Sequence, residues 1–91
     1  MSNLHTNERD EYIHPMNDIL IEDDYYLGTK IFFVKIGKPA KDPLEGGDYY
    51  CPFDISYSNK VISSVVFGIN PLQALEMSFQ GIRMKLKELE R

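Results

Sequence analysis

The side chains of this chain that could carry chemistry are few and far apart. Its single thiol is Cys51, and a catalytic cysteine needs a base or a cationic neighbour that lowers its pKa. The two histidines, His5 and His14, stand near the start of the chain. Cys51 alternates with Tyr49 and Phe53 in an apolar pattern, which reads as a buried structural thiol. One cysteine and two distant histidines do not make a metal cluster. Glu22-Asp23-Asp24 is a run of three acids, but it lacks the alternate spacing and the turn glycine of a calcium loop. Gly46-Gly47 precedes a strand pattern, so no helix N-terminus follows to hold a phosphate. Ser56, Ser58, Ser63 and Ser64 have no His/Asp arrangement to activate them. No catalytic residue, cofactor or metal is expected, and the chain reads as a non-enzymatic protein.

Charge and length narrow the classes further. The sequence has 91 residues and a net charge of −4, enough for one domain and the wrong sign for a nucleic-acid binder, which normally shows a basic patch. The charge is uneven. Residues 1–26 carry seven acids against Arg9, a balance of −6, while residues 27–91 carry seven acids and nine bases, a balance of +2. The acidic segment is either a solvated arm or a surface offered to a basic protein partner. One cysteine excludes an intramolecular disulfide. Residues 1–12, MSNLHTNERDEY, do not resemble a signal peptide, and no run reaches the 18 or so apolar residues of a membrane span. A cytoplasmic protein with no membrane contact is the expectation.

The elements that must position these residues begin from the end of the chain. Asn70 to Arg91 reads as one long helix. Asn70 is a good N-cap, Pro71 suits the first helical position, and Gln73 completes an Asn-x-x-Gln capping box. Leu72, Leu75, Phe79, Ile82, Leu86 and Leu89 recur at spacings of three and four, the stripe of a helix laid on a core. A second stripe, Ala74, Met77, Gly81 and Met84, runs on nearly the opposite side. Gly81 costs about 1 kcal/mol relative to Ala in a helix interior, so it asks for a close approach by another backbone. Those four residues are the candidate partner-contact face, against the plainer alternative of a solvated face.

Before the helix, four runs read as strands: Asn17–Tyr26, Lys30–Ile36, Asp48–Tyr57 and Val61–Phe67. In the second, Phe32, Val34 and Ile36 share a face, with Ile31 and Phe33 on the other. In the third, Tyr49, Cys51, Phe53, Ile55 and Tyr57 share a face, and Pro52 implies an edge position or a bulge. In the fourth, Val61, Val65 and Phe67 oppose Ile62 and Val66. Short turns at Leu27-Gly28-Thr29 and Ser58-Asn59-Lys60 make the strands antiparallel. Gly37–Gly47 is a loop by composition, a mobile connection or a contact loop. Residues 1–16 read as a flexible acidic arm and 17–91 as a single α+β domain. Its expected architecture is a four-stranded antiparallel meander with one long C-terminal helix on one face, ββββα in two layers. The other face is left without an internal cover.

Three features together resemble a family of small uncharacterised bacterial domains. They are Gly47-Asp48-Tyr49-Tyr50-Cys51-Pro52-Phe53, the later Phe67-Gly68-Ile69, and Asn70-Pro71-Leu72-Gln73-Ala74-Leu75 opening the last helix. Members carry a Gly-Asp-aromatic-x-Cys-Pro strand, a Gly-hydrophobic-Asp-Ser-Leu-Gln-Ala-Leu helix start and an Ile-Arg pair, here Ile82-Arg83. The similarity spans about residues 18–90. Asn70-Pro71 replaces the usual Asp-Ser, and Tyr49 or Tyr50 stands where the family favours Trp. The resemblance implies the fold and a bacterial cytoplasmic setting, and it transfers no catalytic residue. The functional expectation is a small protein-interaction module, with a homodimer as one form of it. The alternatives are a toxin-neutralising immunity-type protein and a small-ligand binder that uses the Tyr-rich sheet face and the Gly37–Gly47 loop.

Overall fold

A computed structural model of the chain describes Met16, residues 18–43 and residues 48–90. The expected arm, apart from Met16, lies outside the described residues. The elements run β1 (Ile19–Leu27), β2 (Lys30–Gly37), β3 (Ala40–Lys41), β4 (Tyr49–Tyr57), β5 (Lys60–Gly68) and α1 (Pro71–Glu90). β1 pairs β2, β2 pairs β4 and β4 pairs β5, all antiparallel. The α+β meander with one C-terminal helix is thus the fold. β3, inside the segment read as a loop, pairs Ala40 with Tyr50 and Lys41 with Tyr49. Because β5 pairs along the whole of β4, β3 shares the flank of β2 and prolongs its line after a break at Lys38-Pro39. Both two-residue hairpin turns, at Gly28-Thr29 and Ser58-Asn59, carry a positive φ at their first residue only, 62° at Gly28 and 60° at Ser58. That is the II′ pattern whose twist suits paired strands.

The edge position inferred from Pro52 is corrected by this topology, because β4 is a central strand. Its pairing with β2 ends at Phe53, and its pairing with β3 resumes at Tyr50. Pro52 therefore faces the interruption between β2 and β3, where that flank offers no ladder partner to a missing N–H. Gly37 stands beside it. A Cβ on Gly37 would lie 2.6 Å from the Met16 sulfur and 2.7 Å from the Pro52 ring.

Register sorts the side chains. Ile36 faces Phe53 and Val34 faces Ile55 across β2 and β4, and Phe53 faces Ser64 across to β5. The helix-side face thus presents Phe32, Val34 and Ile36 with Cys51, Phe53 and Ile55. These pack against Ala74, Ile82 and Leu86 as one buried core. On the far face Ile31 is exposed and Phe33 half-buried, whereas Tyr50 is buried.

The helix starts as its sequence predicts. The Gln73 N–H donates to Asn70 Oδ1 at 2.8 Å, and the Ile69 N–H donates to Gln73 Oε1 at 2.7 Å. The box closes one residue earlier than its standard form, on Ile69 rather than on the cap itself. At the other end the Lys30 ammonium, from the β1–β2 hairpin, donates to the Leu89 and Glu90 carbonyls at 3.2 Å each. A cation there meets the negative end of the helix and its orphan carbonyls.

Which face α1 buries differs from expectation. Its buried residues are Ala74, Ser78, Ile82 and Leu86, while Leu72 is 70% and Phe79 41% exposed. The helix is rolled by roughly 50° from the position that the widest apolar stripe implies, at about 100° per residue. Small residues explain the roll. A Cβ on Gly68 would meet the Ala74 nitrogen and the Gln73 carbonyl carbon at 2.4 and 2.8 Å, so the first helical turn rests directly on the end of β5. Ala74, Ser78 and Gly81 keep the helix axis close to the sheet along the next two turns.

Candidate functional site: a groove between the edge strand and the helix

The roll of α1 decides what is left open. The helix lies over β4 and β5, so the helix-side surface of β1 stays open beside the buried residues of β2. There the structure has a groove of about 300 Å³, floored by Val34 and Ile36. Ile21 and Tyr25 of β1 form one wall, and Phe79, Ile82 and Arg83 of α1 form the other. Alternation explains the β1 wall, since Ile21, Asp23 and Tyr25 pair with Ile36, Val34 and Phe32 and so share their face. Ile21, Tyr25 and Phe79 are each more than 40% exposed. The rims carry opposite charges, Asp23 on β1 and Arg83 on the helix, and Asp24 adjoins the β1 rim. The cleft is apolar with a few polar groups at its edge, the usual composition of a recognition site.

The four residues of the second helical stripe separate. Ala74 is fully buried. Gly81 lies against the chain's own sheet, where an added Cβ would come within 3.1 Å of Phe53 and 3.4 Å of Val66. Those two positions belong to the internal packing of helix on sheet, so they cannot form an outward partner face. Met77 and Met84 are exposed and by helical spacing flank the β5 side of α1. The neighbours of Gly81 are the Phe53 and Val66 side chains, not the other backbone that its place in the helix suggested.

Cys51 is fully buried, and its thiol donates to the Gly37 carbonyl at 3.3 Å. Burial pushes its pKa above the ordinary 9.0, and a hydrogen bond with Ser78 works weakly the other way. The Ser78 hydroxyl donates to the Leu75 carbonyl at 2.6 Å. A neutral, enclosed thiol of this kind is a poor nucleophile. Among the described residues no three His, Cys, Asp or Glu side chains stand close enough to hold a metal ion, and no helix is long and apolar enough to cross a membrane.

The groove was not foreseen from the sequence. Its walls come from Phe79, assigned to the core, and from β1, read only as a short apolar strand. The one signal in the sequence is that the small residues Ala74, Ser78 and Gly81 lie beside the large-residue stripe and so offer the sheet a closer approach than Phe79 does.

No curated protein and no solved structure matches the chain. A family model described as a domain of unknown function (DUF6968) matches residues 28–91, the stretch from the first hairpin turn onward, with β1 before it. The chain, with its antiparallel sheet and single closing helix, therefore belongs to the DUF6968 family, a family whose function is unknown.

Proposed function

We propose that this protein is a non-enzymatic interaction module that binds another protein through the groove between β1 and α1. The observation that carries this reading is the open apolar cleft itself. Phe79, Ile21 and Tyr25 stand half-exposed around it, beside a floor of buried Val34 and Ile36. Apolar surface held in a concave, charge-rimmed shape is what partner recognition uses, whereas scattered single apolar residues are ordinary. The acidic β1 rim supports a basic partner, as in an immunity-type protein that masks a cationic effector by charge complementarity. Met77 and Met84 form a smaller secondary contact on the opposite flank of the helix. The setting that goes with this reading is a bacterial cytoplasm, in line with the resemblance carried by Cys51-Pro52 and Leu72-Gln73-Ala74-Leu75.

Site-specific photo-crosslinking in the native cell tests the reading. A benzophenone side chain is placed at Phe79 in the groove wall, and at Lys87 on the exposed face of the same helix as a control. A discrete protein adduct from position 79 that is absent from position 87 is the expected result. Equal labelling from both positions, or none from position 79, would sink the groove as a binding site.

A further inference from the structure

β1 is an open sheet edge. Among the described residues it pairs only with β2, it is nine residues long, and residues 18–26 are exposed without exception. Long edges of this kind are templates for strand addition, and proteins normally blunt them. Here the device is the run Glu22-Asp23-Asp24 at the strand's centre. The hairpin register shows which backbone groups face outward. Leu27 and Lys30 close a two-residue turn as a pair, the position at which the two residues exchange hydrogen bonds. Leu27, Tyr25, Asp23 and Ile21 therefore bond inward to β2, and Tyr26, Asp24 and Glu22 present N–H and C=O to the free side. The Asp24 N–H, one of the outward set, donates to the Asp23 carboxylate at 2.8 Å.

We propose that β1 takes up an extended basic segment of a partner protein as an added strand, next to the groove described above and resting on that interaction reading. Charge selects the occupant. A second copy of this chain, paired antiparallel over the full strand, sets Asp23 opposite Asp23 and Glu22 opposite Asp24. Like charges directly opposite one another destabilise such a pair. A strand with lysine or arginine at alternate positions meets Glu22 and Asp24 instead, on the face away from the groove. One more basic residue on the groove face, opposite Asp23, supplies a cation to that carboxylate, which must leave the Asp24 N–H before that group can join a new ladder. Apolar residues of the same segment, alternating with the basic ones, fall beside Ile21 and Tyr25 at the mouth of the groove. Main-chain bonds then hold the segment, and the side-chain alternation selects it.

A charge-reversed copy of the chain, Glu22→Lys/Asp23→Lys/Asp24→Lys, is the probe, since it offers a basic strand of known geometry. Sedimentation is run on each protein alone and on the mixture, with amide exchange followed in the 15N-labelled natural chain. Each alone is expected to be monomeric. The mixture is expected to form a one-to-one complex that protects the outward amides of Glu22 and Tyr26 and weakens about tenfold in high salt, where charge attraction is screened. Tyr26→Pro in the natural chain removes one outward N–H without touching the β2 ladder, and it is expected to abolish the complex. Absence of a mixed complex, a complex that leaves the β1 amides unprotected, or self-pairing of the natural chain through β1 would each overturn the proposal. A Phe79 adduct in the native cell together with no mixed complex would remove strand addition and leave the groove reading standing.

Discussion

At the scale of single residues, two glycines meet the same fold in opposite ways. Gly68 is pressed against the backbone of the first helical turn, with the Ala74 nitrogen 2.4 Å from where a Cβ would sit. Backbone cannot yield without moving the helix, so Gly68→Ala should destabilise the protein by about 2–3 kcal/mol, as overpacking does elsewhere. A Cβ at Gly81 would lie 3.1 and 3.2 Å from the edge of the Phe53 ring, a side chain that can shift by a few tenths of an ångström. The helix gains about 1 kcal/mol when Gly becomes Ala, so Gly81→Ala should fall within about 1 kcal/mol of the natural protein. Urea unfolding of the two variants checks both values. A similar cost at the two sites would show that the Phe53 contact is as unyielding as the backbone contact.

Cys51 gives a prediction in pH. Its thiol is buried and neutral, and its folded pKa is raised above the ordinary 9.0. The folded state therefore holds its proton to higher pH than the unfolded state does. The contribution is fully present below pH 9 and is lost as pH rises through the folded pKa. Thermal melts of the natural chain should decline above about pH 9 more steeply than those of Cys51→Ala, which has no thiol to ionise. Parallel curves for the two proteins would contradict this.

At the scale of elements, the helix shows what a sequence of this kind makes legible. Its start is local chemistry. Asn70, Pro71 and Gln73 are contiguous, and the hydrogen bonds they form need nothing from the rest of the molecule. Strand faces are legible for a related reason, because alternation alone sorts Phe32, Val34 and Ile36 from Ile31 and Phe33. The roll of α1 is not local. Hydrophobicity favours the arc of Leu72, Leu75 and Phe79, but close packing is set by where Ala74, Ser78 and Gly81 let two backbones approach, and that depends on Gly68 and Phe53. β3 was hidden likewise, since two residues beside a proline carry no periodicity. The roll is testable through Leu72, 70% exposed. Leu72→Lys should change stability by less than about 1 kcal/mol, as surface substitutions do, whereas a core leucine loses about 2–5 kcal/mol even on truncation to Ala. Asn70→Ala, two residues earlier, should cost about 1 kcal/mol through the lost cap. Denaturant titration of the pair distinguishes the two geometries, because a larger loss at Leu72 than at Asn70 would return Leu72 to the core.

At the scale of the whole molecule, cohesion is unevenly spread. β4 lies at the centre, flanked by β2 and β3 on one side and β5 on the other, with the helix above it. It contributes Cys51, Phe53 and Ile55 to the core. Among the described residues β1 has one strand neighbour, β2, and of its nine residues Leu27 alone packs against the core. Opening free energies follow buried contacts and cross-strand pairing, so the strands should open in a fixed order. Amides of β4 should exchange only with global unfolding. The inward amides of β1, Asp23 and Tyr25 among them, should exchange through a smaller opening that releases β1 while β2 to α1 stay folded. The core does not need β1 to close, since its helix contacts are made by β4 and β5. The same looseness makes β1 adaptable as a binding edge, for an edge strand can adjust its twist to an incoming segment at little cost to the core. Native-state hydrogen exchange at increasing denaturant is the measurement. Two isotherms, a low one for β1 and a high one for β4, would place the proposed binding edge on the part of the molecule free to move. A single isotherm for both strands would instead make β1 part of the cooperative core, and strand addition there would have to proceed on a rigid edge.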